Sequence, residues 1–219
     1  MKRMLLSMVV ALGLIGCAAT ADPPTDYVLD PKQPEGIAIM SLTFSGQPLE
    51  GVFNFEYRLR MLTSKDDEAV ISRPYFESPR QLARGVSRLP ARTDGNRRIV
   101  VKGANSIEPL DLREGATAGR VMSLRLPAGA YEFYAWALKT PAGQSGGTEY
   151  APQRPFSYQF VVKPGQVTYI GQLNLHLSER KTQKITVEDR RERDLTILEK
   201  KVPSIGGVPV VFEVGRVRP

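Results

Sequence analysis

The stretch Gly119–Leu175 constrains the fold more than any other, because four alternating runs occur in it, separated by turns whose chemistry can be named. In GRVMSLRLPAGAYEFYAWAL, Met122, Leu124 and Leu126 alternate with Val121, Ser123 and Arg125, the two-residue period of a half-buried strand. Leu126-Pro127-Ala128-Gly129 has Pro at the second turn position and Gly at the fourth, which predicts a type I reversal. The next run, Ala130 to Leu138, carries Tyr131, Phe133, Tyr134 and Trp136, so aromatic bulk is expected on both faces of a central strand. Farther on, Phe156, Tyr158, Phe160 and Val162 alternate with Ser157, Gln159, Val161 and Lys163. Lys163-Pro164-Gly165-Gln166 then predicts a type II turn, with Gly where φ must be positive. Val167 to Leu175 should return as the hairpin partner, with Val167, Tyr169, Gly171, Leu173 and Leu175 on one face and a bulge or close backbone approach at Gly171.

Elsewhere the pattern continues in shorter pieces. Ile37 to Phe44 reads as a strand, followed by a turn at Ser45-Gly46-Gln47-Pro48. Val52 to Arg60 alternates, with Phe53, Phe55, Tyr57 and Leu59 inward and Asn54, Glu56, Arg58 and Arg60 outward. The charged segment at about 63–98 lacks such order, apart from a short helix signalled by Ser78, Pro79, Gln81 and Gly85. Arg98 to Lys102 is a short strand and Asn105 to Ala118 a loop. Thr182 to Glu188 is another strand. A helix follows, opened by Asp189 with Glu192, showing Leu195, Leu198 and Val202 on one face and ended by Pro203. Val208 to Val214 makes a last strand that Pro209 pushes to a sheet edge.

Eight or nine strands with one or two short helices predict an all-β fold, an antiparallel β-sandwich spanning residues 36–219 as one domain. Phe53, Phe55, Tyr57, Leu124, Tyr131, Phe133, Phe160, Tyr169 and Leu173 are the expected core. LPAGAYEFYAW with FVVKPGQVTYIGQLNL resembles the strand pairs of transthyretin-like and carboxypeptidase-regulatory-like sandwiches. It resembles more closely the uncharacterised Gram-negative lipoproteins that carry an LPAGxY turn and then PGxxxYIGxL. The resemblance covers some 60 residues (~60) and implies a binding or structural module, with no catalytic residues attached.

The first 16 residues have a basic start, Lys2 and Arg3, an apolar run from Met4 to Ile15, and then Leu14-Ile15-Gly16-Cys17. The run is shorter than the roughly 20 residues a spanning helix needs, so it reads as an export signal. Its end resembles the lipobox of bacterial lipoproteins, which implies that Cys17 becomes the acylated first residue of the mature chain. Cys17 is the only cysteine, so no disulfide can form within the chain. Ala18 follows it in place of the Asp that would mimic inner-membrane retention, so outer-membrane delivery and a periplasmic domain are expected. Residues 17–35 contain four prolines and little apolar pattern, as a tether would.

Charge points to one further feature. The chain has 30 basic and 23 acidic residues. Seven arginines against two acids between Arg73 and Arg98 account for the excess left once Lys2 and Arg3 are set aside. Arg80, Arg84, Arg88 and Arg92 recur every fourth residue. Guanidinium forks suit phosphate and carboxylate, so an anionic lipid, a lipopolysaccharide phosphate or an acidic glycan is the partner they would recognise. An envelope location disfavours nucleic acid.

The sequence offers little catalytic chemistry. Gly143-Gln144-Ser145-Gly146-Gly147 matches the G-x-S-x-G elbow of serine hydrolases, but Pro141 precedes it and Thr148-Glu149-Tyr150-Ala151-Pro152 follows. The elbow needs a strand before and a helix after, so this is read as a loop, and a hydrolase using Ser145 with His176 is the disfavoured alternative. His176 is the only histidine and has no cysteine to join it, so no metal and no cofactor are expected. The acids Asp66, Asp67 and Glu68, and Glu188, Asp189, Glu192 and Asp194, read as solvated surface. The expected function is a non-enzymatic outer-membrane lipoprotein serving as a structural or interaction module. A glycan- or peptidoglycan-binding sandwich is the alternative, for which exposed aromatics around Tyr75, Phe76 or Tyr150 would be the mark.

Overall fold

The computed structural model describes residues 29–46, 51–62, 98–104, 110–140, 149–152, 156–177 and 184–214. These residues form two sheets and one α-helix. The strands are β1 (Glu35–Ser45), β2 (Asn54–Met61), β3 (Arg98–Lys102), β4 (Leu112–Glu114), β5 (Thr117–Pro127), β6 (Gly129–Lys139), β7 (Glu149–Tyr150), β8 (Tyr158–Val162), β9 (Val167–His176), β10 (Lys184–Glu188) and β11 (Val210–Phe212). The helix α1 (Arg191–Lys201) precedes a short 3₁₀ turn at Pro203–Ile205. One sheet runs β10-β9-β1-β5-β4, with β11 also on β9; the other runs β3-β2-β6-β7, with β8 also on β6. Among the described residues no helix is long and apolar enough to cross a membrane.

The class is all-β, as the alternation predicts, but the pairing differs in two ways. The β8 and β9 strands are not a hairpin: β8 pairs with β6 and β9 with β1, in different sheets. The Lys163–Gln166 turn has the expected form, with Gly165 at φ 63° and Gln166 N–H donating to Lys163 O at 3.3 Å, yet it carries the chain from one sheet to the other. Burial explains the separation. Only alternate residues of β8 are buried, whereas all of β9 except His176 is buried, which requires cover on both faces. The second difference is direction: β9 is parallel to both β1 and β11, so the first sheet is mixed rather than antiparallel.

Two bulges correct the face assignments. The β1–β9 register shifts between Ile39 and Met40, opposite Tyr169 and Gly171, and Gly171 has φ 105°. The extra residue reverses the inward–outward parity. Leu173 and Leu175 therefore join the core between the sheets, while Val167 and Tyr169 face the helix side. In β6 the shift falls where Leu59 pairs with Phe133 and Arg58 with Ala135, which makes Tyr134 the extra residue of the bulge. Tyr131, Phe133, Trp136 and Leu138 consequently all reach the same core, rather than opposite faces.

That core joins both sheets. Phe44, Phe55, Tyr57 and Phe133 form a chain of edge-on ring contacts with centroids 5.1–5.9 Å apart, and Phe133 meets Phe160 at 5.6 Å. Edge-to-face geometry aligns the positive ring rim with the negative face. Phe53, expected inside, lies just before β2 and is 50% exposed; Val52 is buried in the core cluster, and Phe55 opens the buried alternation of β2.

A second cluster lies on the far side of the mixed sheet, where Leu198, Val202 and Ile205 cover Ile37, Ile39, Val121, Val167 and Tyr169. Tyr169 thus belongs to this cluster and not to the one between the sheets. The stretch expected to be free tether is attached sooner than its composition implies. Leu29 packs on this second cluster, and Asp30 closes a turn by accepting Lys32 N–H on Oδ1 at 2.9 Å and Gln33 N–H on its carbonyl at 3.0 Å. Asn105 to Ala118, read as a loop, contains β4 and the start of β5. The proposed helix near Ser78–Gly85 lies outside the described residues.

Phe133→Ala should lower stability by about 3–5 kcal/mol, since it removes a ring that contacts three others and leaves a cavity between the sheets. The check is a urea midpoint that falls with little change of slope. A loss below about 1 kcal/mol would contradict the core position.

Candidate functional site

The sequence-predicted site residues divide by location. Cys17, Arg80, Arg84, Arg88, Arg92 and Ser145 lie outside the described residues, as do Tyr75 and Phe76. His176 lies at the end of β9. Tyr150 is on the short strand β7, 41% exposed, and pairs with Leu138; Phe53 donates its N–H to the neighbouring Lys139 carbonyl at 2.7 Å. Two exposed aromatics thus flank the end of β6.

The densest polar chemistry among the described residues lies on the helix side of the mixed sheet. The β1 strand presents Ser41, Thr43 and Ser45 there, and β9 presents Gln172, Asn174 and His176. These are the alternate positions that follow the apolar Ile37, Ile39, Val167 and Tyr169. Over them α1 lowers Asp194, one turn before the buried Leu198. Asp194 was expected at the surface, yet it is fully buried. Four donors explain how a carboxylate is tolerated there. Ser41 Oγ donates to Oδ2 at 2.7 Å and Tyr169 OH to the same oxygen at 2.9 Å. Arg193 donates to Oδ1 through Nε at 2.9 Å and Nη2 at 2.7 Å. A buried carboxylate whose two oxygens each take two donors escapes the penalty of an unpaired polar group.

Arg193 extends the network outward, to Gln172 Oε1 at 2.6 Å and Glu114 Oε2 at 3.0 Å. Burial pulls against its charge, but the hydrogen bond and charge of Asp194, with Glu114 beyond, hold its ionisation higher than usual. Tyr169 OH also accepts the Arg190 N–H at 3.1 Å. Burial, and then the anionic Asp194 beside it, push the Tyr169 phenol far up. The other acids of this segment do sit outside: Asp189 takes the Arg191 N–H at 3.2 Å and pairs with its guanidinium, which holds its carboxyl below the usual range. The signal that could have revealed Asp194 is its four-residue spacing from Leu198, which places it on the helix's buried stripe.

Around His176 the polar side chains of β1, β9 and β10 form a connected hydrogen-bond network. Thr43 Oγ1 donates to Asn174 Oδ1 at 2.9 Å, which turns the Asn174 Nδ2 toward Ser45 Oγ and His176 Nε2, each at 3.2 Å. His176 Nδ1 lies 3.2 Å from Ser45 Oγ, and Nε2 lies 2.9 Å from Thr186 Oγ1, with the direction of each bond set by the ring tautomer. Among the described residues no three His, Cys, Asp or Glu side chains assemble as a metal site would require.

No protein-family model matches the chain, and no curated protein matches it. Among solved structures, a leucine-rich repeat protein from Bacteroides thetaiotaomicron is similar over 67% of this chain, at 11% identity and a TM-score of 0.35. The chain spans 14% of that protein's length. Fold and function therefore rest on the residues of this chain.

Asp194→Ala should cost about 3 kcal/mol, because it leaves Arg193 and two hydroxyls without their shared acceptor beneath the helix. Denaturant unfolding of the variant measures this, and an unchanged midpoint would show that α1 is held by apolar contacts alone. A pH dependence follows from the tyrosines. Burial pushes Tyr131 up to about 12 and raises Tyr57 further, with Tyr169 raised as above. The fold thus favours the neutral phenol. The stability this brings is intact below the unfolded tyrosine pKa of about 10 and is lost as pH rises through about 12. Tyrosinate absorbance near 295 nm should then appear in two stages, exposed rings first and buried rings together with loss of circular dichroism.

Proposed function

We propose that the protein is a lipid-anchored, non-enzymatic structural or interaction module of the bacterial outer membrane, with its domain in the periplasm. The observation that carries this reading is Leu14-Ile15-Gly16-Cys17, after a basic start and a short apolar run, with Cys17 the sole cysteine. The paired sheets are consistent with the transthyretin-like or carboxypeptidase-regulatory-like sandwich to which the LPAGAY and KPGQVTYIGQLNL segments point. The commitment of interior polar groups supports a scaffold. Asp194 and Tyr169 bind each other, and Glu132, 2% exposed, is held by Arg60 at 2.6 Å. Replacing Cys17→Ser should move the protein from the membrane to the soluble periplasmic fraction and abolish uptake of labelled fatty acid. A Cys17→Ser protein that still floats with membranes, beside a wild type that takes up no label, would sink the reading.

The partner suggested by charge is an anionic surface met by Arg80, Arg84, Arg88 and Arg92. Each arginine near an anionic membrane contributes roughly 1 kcal/mol, and exposed charges are screened over about 8 Å at physiological ionic strength. A soluble form beginning after Cys17 should bind anionic vesicles in a salt-sensitive way, and the fourfold Gln variant should lose most of that binding. Equal binding to anionic and neutral vesicles would remove the arginines from the proposal.

A further inference from the structure

The strand registers sort the connections onto two ends of the paired sheets. At one end Glu35 pairs with Pro127, Ile37 N–H donates to Gln166 O at 2.9 Å, and Gly165 N–H donates to Glu35 O at 2.8 Å. The Pro127–Gly129 turn joins the sheets at this end, and Ala128 N–H donates to Pro34 O at 2.8 Å. Leu62 N–H donates to Ala130 O at 2.8 Å and Arg98 pairs with Arg60, so both lie at this end as well. The opposite end holds Ser45, Thr117, Lys139, His176 and Lys184.

The chain arriving from Cys17 is secured at the first of these ends. Leu29 packs on the cluster beneath α1, and a Cβ at Gly165 would run into Pro31, so the backbone there lies directly on the Lys163–Gln166 turn. Leu29 is only twelve residues on from Cys17. Fully drawn out, such a length reaches about 40 Å; as a relaxed coil it spans about 20 Å. The 11 residues of β1 themselves extend for roughly 36 Å at about 3.3 Å each. Setting the opposite end on the membrane would therefore require a tether pulled almost straight past the whole length of the domain.

We infer that the end bearing the Pro127–Gly129 and Lys163–Gln166 turns faces the headgroup surface of the membrane that holds Cys17. This rests on the proposed acylation of Cys17. A second, independent placement agrees with it. Leu62 and Arg98 bound the stretch in which the sequence concentrates its arginine excess, and both are fixed at this same end. The chain thus leaves and rejoins the described sheets at the end to which Pro31 and Pro34 are docked. The Ser45–Lys184 end is left pointing away from the membrane, and there the exposed Phe53 and Tyr150 flank the end of β6.

The test uses the full acylated chain with one added cysteine, Pro164→Cys at the turn end or Lys184→Cys at the other. Both positions are exposed, and in the acylated protein the Cys17 sulfur is a thioether, so only the new thiol takes up a fluorophore. Each labelled protein is reconstituted in vesicles containing anionic phospholipid and a headgroup-attached quencher. Quenching should be several-fold greater at position 164 than at 184, and Lys163→Cys, a second turn-end reporter, should behave like 164. Equal quenching at both ends, or stronger quenching at 184, overturns the orientation. Flotation of the same samples separates the two ideas. Protein that fails to float with the vesicles removes the acylation and the orientation together, whereas floating protein with reversed quenching removes the orientation alone.

Discussion

The arrangement depends on a single strand, β9, which is covered on both faces and paired on both edges. One edge pairs with β1 throughout, and the other is shared by β10 over Gln172–His176 and by β11 over Val167–Tyr169. A strand in that position cannot keep one face polar, and VTYIGQLNL does not: its apolar residues serve both the core between the sheets and the cluster beneath α1. Gly171 makes this division work. At φ 105° it occupies backbone space that L side chains rarely adopt, and a Cβ there would meet Val187 and Val214. The bulge it supports reverses parity, so that Tyr169 reaches α1 while Leu173 reaches the aromatic core.

Beyond the bulge, the same reversal turns Gln172, Asn174 and His176 to the helix side, beside Ser41, Thr43 and Ser45. A polar strip inside a fold is costly unless its groups pair, and here they do so in series. Asp194 is the junction, because it ties a helix, two strands and the Arg193 side chain to one carboxylate. Such a pair is a poor source of net stability compared with well-packed apolar residues. Its geometric demand is high, however, since four donors must converge on two oxygens. The helix RERDLTILEKK has few apolar residues to define its seating, and the proposed role of this junction is to set its register on the sheet.

Chain crossings between the sheets connect this architecture to the proposed function. The β5–β6 and β8–β9 turns, both short and proline-containing, lie at the end where Leu29–Pro34 is docked. The exposed Phe53 and Tyr150 lie at the other end.

Local chemistry made several features legible in the residues alone. Pro-Gly spacing gave the form of the Lys163–Gln166 turn, a mid-strand glycine signalled the bulge at 171, and period-two alternation located β2 and β8 to within a residue or two at each end. Each of these is decided by φ preferences or by the pleat, within a few neighbouring residues. The sequence also contains the lipobox-like run and the local arginine excess on which the functional proposal rests. Partner choice was not legible, because a turn fixes how the chain reverses and not which sheet the next strand joins. Nor was the fate of Asp194, Phe53 or Tyr169, whose surroundings come from strands and a helix far away in the chain. Whether a carboxylate is solvated or enclosed by Ser41, Tyr169 and Arg193 depends on contacts across up to 153 residues, and only tertiary packing brings those groups within hydrogen-bonding distance.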